Sequence, residues 1–101
     1  MTLKDEAKKY IYEIFNIYPI DVNNSYIKYR IDDDIYLYAS LLSELELLES
    51  MPVNKISKHM IKACSKRLKE FQDYLIDYYK EISDKNKINH GKKSTINTGN
   101  I

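Results

Sequence analysis

From Val53 to Ser83 the chain holds no proline and no glycine, and its apolar residues Ile56, Met60, Cys64, Leu68, Phe71, Leu75, Tyr78 and Ile82 recur at intervals of three or four. That period is the signature of one face of an α-helix. At about 1.5 Å of rise per residue, a helix over 53–83 reaches about 45 Å, whereas a small domain is only about 30 Å across. Other parts of the chain, or a second copy, must therefore lie along this rod and cover its apolar stripe, which points to a helical bundle.

The two preceding segments have the pattern needed to do so. Leu3, Ala7, Tyr10, Ile14 and Ile17 are spaced alternately by four and three, with Ile11, Phe15 and Tyr18 widening the stripe, so a helix is expected over 3–17. Thr2 is a suitable N-cap, Asp5 and Glu6 suit the positive end of the helix dipole, and Pro19 forces an exit because the residue before a proline leaves the α region. Ile20 to Asn24 is a connection. Tyr26 to Ile31 alternates as a strand would, yet Ile27, Ile31, Ile35, Tyr38, Leu42 and Leu45 keep helical spacing. A lone strand has no partner here to satisfy its backbone groups. A second helix over 25–50 is the expectation, despite Asp32, Asp33 and Asp34, which suit a cap better than a helix interior. Pro52 ends it.

The fold expected is thus all-α, an antiparallel bundle of three helices at about 3–17, 25–50 and 53–83. Residues 1–83 form one domain, and 84–101, where the period vanishes, a flexible basic tail. In the hairpin turning at Met51 and Pro52, a second helix starting only at Asp33 would leave Phe71, Leu75, Tyr78 and Ile82 projecting past it. The start near Ser25 supplies cover. Any part of that stripe left open calls for a second copy, so a homodimer is expected.

A chain of 101 residues supports one core. The net charge of +1 provides no overall field for nucleic acid or anionic lipid. The single cysteine, Cys64, excludes an internal disulfide, and with no clustered Cys and His no zinc site is expected. Acidic residues near the N-terminus where a signal peptide would be apolar, and the absence of any run of about 18 apolar residues, point to a cytoplasmic protein away from membranes. The abundance of Ile, Lys, Tyr and Asn, residues with AT-rich codons, suggests an AT-rich genome such as that of a phage, virus or other mobile element.

Charge is segregated along the chain. Asp32 to Glu49 carries only acidic charge, whereas Lys55, Lys58, Lys62, Lys66, Arg67 and Lys69 follow with no acid among them. On a helical wheel Lys55, Lys58, Lys62, Lys66 and Lys69 form one stripe opposite the apolar face. A solvated face, partly screened at the hairpin end by Glu46 and Glu49 against Lys55 and Lys58, is the plainer reading. A basic ridge for phosphates or an acidic protein is the functional one. A DNA-reading helix-turn-helix fits poorly, since these helices are long and their junction suggests an antiparallel hairpin.

Ten of the aromatics are tyrosine. Tyr36, Tyr74 and Tyr79 fall outside the apolar stripes and are therefore the expected partner contacts. For catalysis the inventory is thin: His59 and His90 pair with nothing, Cys64 sits in the apolar stripe, and Gly91 and Gly99 form no phosphate loop. Asp32, Asp33 and Asp34 lack the ligand spacing of a calcium loop and are expected to be solvated or capping. The function expected is that of a small non-enzymatic protein-interaction factor without cofactor or metal: an adaptor, inhibitor or immunity-type protein. The alternative is a nucleic-acid-binding regulator using the lysine ridge.

Overall fold

Three helices carry the chain: α1 (Leu3–Ile17), α2 (Ser25–Glu49) and α3 (Lys55–Ile96). The computed structural model describes the backbone of residues 1–96 and the side chains of residues 1–85, and no strand occurs among the described residues.

Each helix begins where a side chain can take up a free backbone N–H. The Thr2 hydroxyl accepts from the Asp5 amide at 3.1 Å while the Asp5 carboxylate accepts from the Thr2 amide at 3.2 Å, a reciprocal capping box. Asn24 accepts from the Ile27 amide at 3.1 Å, fixing the start of α2 at Ser25. At the hairpin bend Asn54 and Ser57 hold each other: the Ser57 amide donates to Asn54 and the Asn54 amide donates to the Ser57 hydroxyl, both at 2.8 Å. The third helix accordingly begins at Lys55 with Asn54 as its cap, not at Val53. Its helical backbone also continues to Ile96, past Ser83 where the apolar period stops. Between these two points the chain holds Gly91 and several weak helix formers, among them Asn86, Asn89 and Thr95, but no proline that would break the helix. Of the segment expected to be a tail, residues 97–101 lie outside the described residues.

The hairpin of α2 and α3 is antiparallel, as successive contacts show. Leu41 meets the Cys64 thiol, Tyr38 meets Gln72 and Asp34 meets Tyr79, so falling numbers on one helix face rising numbers on the other. The first helix packs at one end of this hairpin only. Ala7, Ile11 and Ile14 enter a common core with Ile31, Ile35, Tyr38, Leu75 and Tyr79. Ring contacts of Tyr10 with Tyr38 at 5.0 Å and of Phe15 with Tyr79 at 5.1 Å fix its place. The helical reading of 26–31 holds, with Ile31, Ile35 and Tyr38 all buried.

The bundle is elongated, 67 × 24 × 19 Å, with a radius of gyration of 18.5 Å where a compact domain of this length has about 13 Å. Three helices surround the core at the base, and two alone form the tip. The stripe that called for a second copy is covered from within: Leu75 is fully buried and Phe71, Tyr78 and Ile82 are half-buried against the core. The other end of the expected stripe does not face inward, since Ile56 is 73% and Met60 46% exposed while Ser57 and Cys64 are buried. Three successive steps of i+4, from Ile56 to Leu68, each overshoot a full turn by about 40°, so Ile56 lies about 120° round the helix from Leu68. The inward line at this end runs through Ser57, Ile61, Cys64 and Leu68.

Candidate functional site

Because α1 stops at the base, the flank of the hairpin away from it has no third helix. The tip exposes Leu47 (60%), Met51 (44%), Val53 (74%), Ile56 and Met60, the last two on this flank. Its position follows from one ion pair. The Arg67 guanidinium reaches the Glu44 carboxylate at 2.9 Å across the two helices. Residues a heptad apart lie within about 20° on a helix. Met60 therefore shares Arg67's side of α3, and Leu37, 43% exposed, shares Glu44's side of α2. Ile56, eleven residues before Arg67, returns to the same side after three turns. The result is an apolar strip on one face of the tip, closed toward the base by the Glu44–Arg67 bridge.

Beyond that bridge the same flank becomes aromatic. Phe71, Tyr74 and Tyr78, spaced i, i+3 and i+7 on α3, stack successively at 5.8 Å and 5.7 Å between ring centroids. From α2, Arg30 donates to the Tyr74 hydroxyl and lies 4.9 Å from the centre of the Tyr78 ring, a cation–π contact. Arg30 also faces Asp34, 3.9 Å from Nε to the carboxylate.

Asp34 is not part of a solvated acidic cluster. It is 1% exposed and accepts a 2.6 Å hydrogen bond from the Tyr79 hydroxyl. Burial pushes its carboxyl above the ordinary carboxylate range, against the opposing pull of Tyr79 and Arg30. Burial and the neighbouring carboxylate push the Tyr79 phenol up as well. Among the described residues Asp34 Oδ1, Arg30 Nε and Ser83 Oγ lack a hydrogen-bond partner. Tyr79 is itself fully buried, so the expectation that it contacts a partner is corrected: it is a core residue whose hydroxyl serves Asp34. Four residues after Leu75, it shares the inward side of α3, which the stripe drawn through Tyr78 passed by.

The other sequence-selected residues lie on the surface but not together. Tyr74 is 39% exposed on the open flank; Tyr36 is 70% exposed and flanks a cleft between α1 and α2. Lys55, Lys58, Lys62, Lys66 and Lys69 are all exposed. At about 100° per residue, Lys62 lies about 140° round α3 from Arg67, so the ridge points away from the open flank. Only Lys69 of the five has an ion-pair partner among the described residues, Asp73 at 3.6 Å. The screening of Lys55 and Lys58 by Glu46 and Glu49 is replaced by the Glu44–Arg67 bridge. Sequence reasoning missed Leu37, Leu47, Met51, Ile56 and Met60 as surface residues. The drift of the i+4 run is the signal that finds Ile56 and Met60; Leu37 and Leu47 are found by their place outside the apolar stripe of α2.

Cys64 is buried with its thiol 3.9 Å from the Leu41 carbonyl, and burial raises its ionisation above the ordinary thiol value. Among the described residues no three His, Cys, Asp or Glu side chains gather to hold a metal ion, and no helix is long and apolar enough to cross a membrane. Compared with known protein families, with curated proteins and with solved structures, the chain matches none.

Proposed function

We propose that this chain is a small non-enzymatic protein-interaction factor, an adaptor, inhibitor or immunity-type protein, that docks its partner on the open flank of the hairpin tip. The supporting observation is the exposure of Leu47, Met51, Val53, Ile56 and Met60 at 44–74%, all at the tip of the hairpin. Contiguous apolar surface of this kind costs solubility unless a partner covers it. The Glu44–Arg67 bridge at its edge supplies the polar rim that interfaces carry, and methionine at two positions gives an adaptable surface. A photo-crosslinking residue at Ile56 tests this in cells. A discrete protein adduct is expected, absent when Met60 is changed to Glu and absent when the crosslinker replaces exposed Lys80. No adduct at Ile56, or one that disappears with nuclease, overturns the proposal.

One observation favours a nucleic-acid reading instead: Lys55, Lys58, Lys62 and Lys66 are exposed and make no ion pair among the described residues. If they contact phosphates, binding falls with salt at a log–log slope of about −0.9 per contact on duplex DNA, and Lys62→Glu with Lys66→Glu abolishes it. The near-neutral chain and the adjacent acidic helix favour the protein partner, so no appreciable binding is expected at about 150 mM salt.

A further inference from the structure

On the side of α2 where α1 crosses it lies a cleft of about 690 Å³. Cavities of about 300–1,000 Å³ are the usual size for small-molecule sites. Its floor is apolar and already in place: Ile31 and Ile35 are 2% and 4% exposed, held by the core beneath them, with Val22 and Ala39 beside them. Tyr12 from α1 and Tyr36 from α2 line it as well, both exposed at their outer edges.

The charges around this cleft are unlike those of the whole chain. Lys4, Lys8 and Lys28 line it against a single carboxylate, Asp32. None of the three lysines makes an ion pair among the described residues. Lys4, Lys8 and Tyr12 are four apart, so one face of α1 delivers all three. The Lys8 ammonium rests 5.9 Å from the Tyr12 ring centre, keeping it over the cleft wall. Positive charge at the edge of an apolar depression draws negative charge more strongly than it would on an open surface.

We infer that the α1–α2 cleft binds an amphiphilic anion, a small molecule with an apolar or aromatic body seated on Ile31 and Ile35 and a carboxylate, phosphate or sulfonate held by Lys8 and Lys28. The body lies between Tyr12 and Tyr36, and the acid group stays at the lysine edge in partial contact with water. This site is separate from the hairpin tip, and neither depends on the other.

The probe is anilinonaphthalene sulfonate, an aromatic body with one anionic group. With the native protein it should show saturable fluorescence enhancement at unchanged helical circular dichroism. Changing Lys8 and Lys28 together to Ala should weaken it about fivefold to tenfold, the effect of removing two partly solvated charge contacts. Changing Ile56 and Met60 to Glu should leave it intact. Displacement by adenosine monophosphate assigns a flat ring system to the natural ligand, and displacement by dodecanoate an alkyl chain. Absence of saturable binding, loss in the tip variant with retention in the lysine variant, or failure of both competitors to displace the probe overturns the inference.

Discussion

Replacing Tyr79 by Phe isolates one hydrogen bond at the centre of the bundle. The ring is fully buried and Phe retains it, so packing is preserved and only the hydroxyl that donates to Asp34 at 2.6 Å is lost. A hydrogen bond to a charged group contributes about 1.5–3 kcal/mol. Asp34 has no substitute donor at hand: its other oxygen lacks a partner among the described residues and Arg30 Nε stands 3.9 Å away. A loss of about 2 kcal/mol or more is therefore expected at neutral pH, lowering Tm by roughly 8–16 °C for a domain of this size. The sign of the pH dependence follows from Asp34. Its folded pKa is raised above the ordinary 3.8, so the folded chain binds the proton more tightly than the unfolded one. Its contribution to stability is fullest below that value and falls as pH climbs through the folded pKa. Removing the Tyr79 hydroxyl raises the folded pKa further, so the cost of the substitution should be largest at neutral pH and shrink toward pH 3. Thermal melts across this range, in a double-mutant cycle with Asp34→Asn, measure both. A Tm change under about 3 °C, or a cost that does not vary with pH, would refute the reasoning.

Other parts of the fold give measurable outcomes as well. Thr2→Ala should cost about 0.5–2 kcal/mol by opening the capping box of α1, read as a lower denaturant midpoint at unchanged slope. Cys64 should react with thiol reagents only on the timescale of opening, since it is buried and its thiol resists ionisation; rapid native labelling would contradict its burial. Leu75→Ala should cost about 2–5 kcal/mol as a core cavity, whereas Ile56→Ala should change stability by less than about 0.5 kcal/mol. Truncation after Lys85 should preserve the cooperative thermal transition, because the apolar period ends at Ile82.

The helices themselves were legible, apart from the two ends of α3, because their stop and start signals are local. Thr2, Pro19 and Pro52 act through their own backbone neighbours, and the helical spacing from Ile27 to Leu45 outweighed the strand-like alternation of 26–31, whereas the Asn24 cap of α2 emerged only in the structure. Phase was less legible than period. The spacings from Ile56 to Leu68 satisfy a helical template at every step, yet their summed drift carries Ile56 out to solvent. Tyr79 and Asp34 were misread for a different reason. Each looks polar alone, and only the antiparallel register, which depends on the whole hairpin, brings donor to acceptor. The α1–α2 cleft was illegible altogether. Lys4, Lys8 and Lys28 form no stripe within one helix, and their proximity is a product of how α1 crosses α2.

The end of α1 partway along the hairpin has a kinetic consequence. Backbone amides at the base lie under three layers of apolar side chains, whereas those around Leu45 to Met60 are protected by two helices and a bend. Opening the tip exposes far less apolar area than opening the base, so the molecule should have a stability gradient along its long axis, with hydrogen exchange at the tip proceeding through fluctuations that leave the base folded. A partner gripping Ile56 and Met60 would then do more than cover apolar surface: it would slow exchange in the tip selectively, and part of its binding free energy would go into ordering that end.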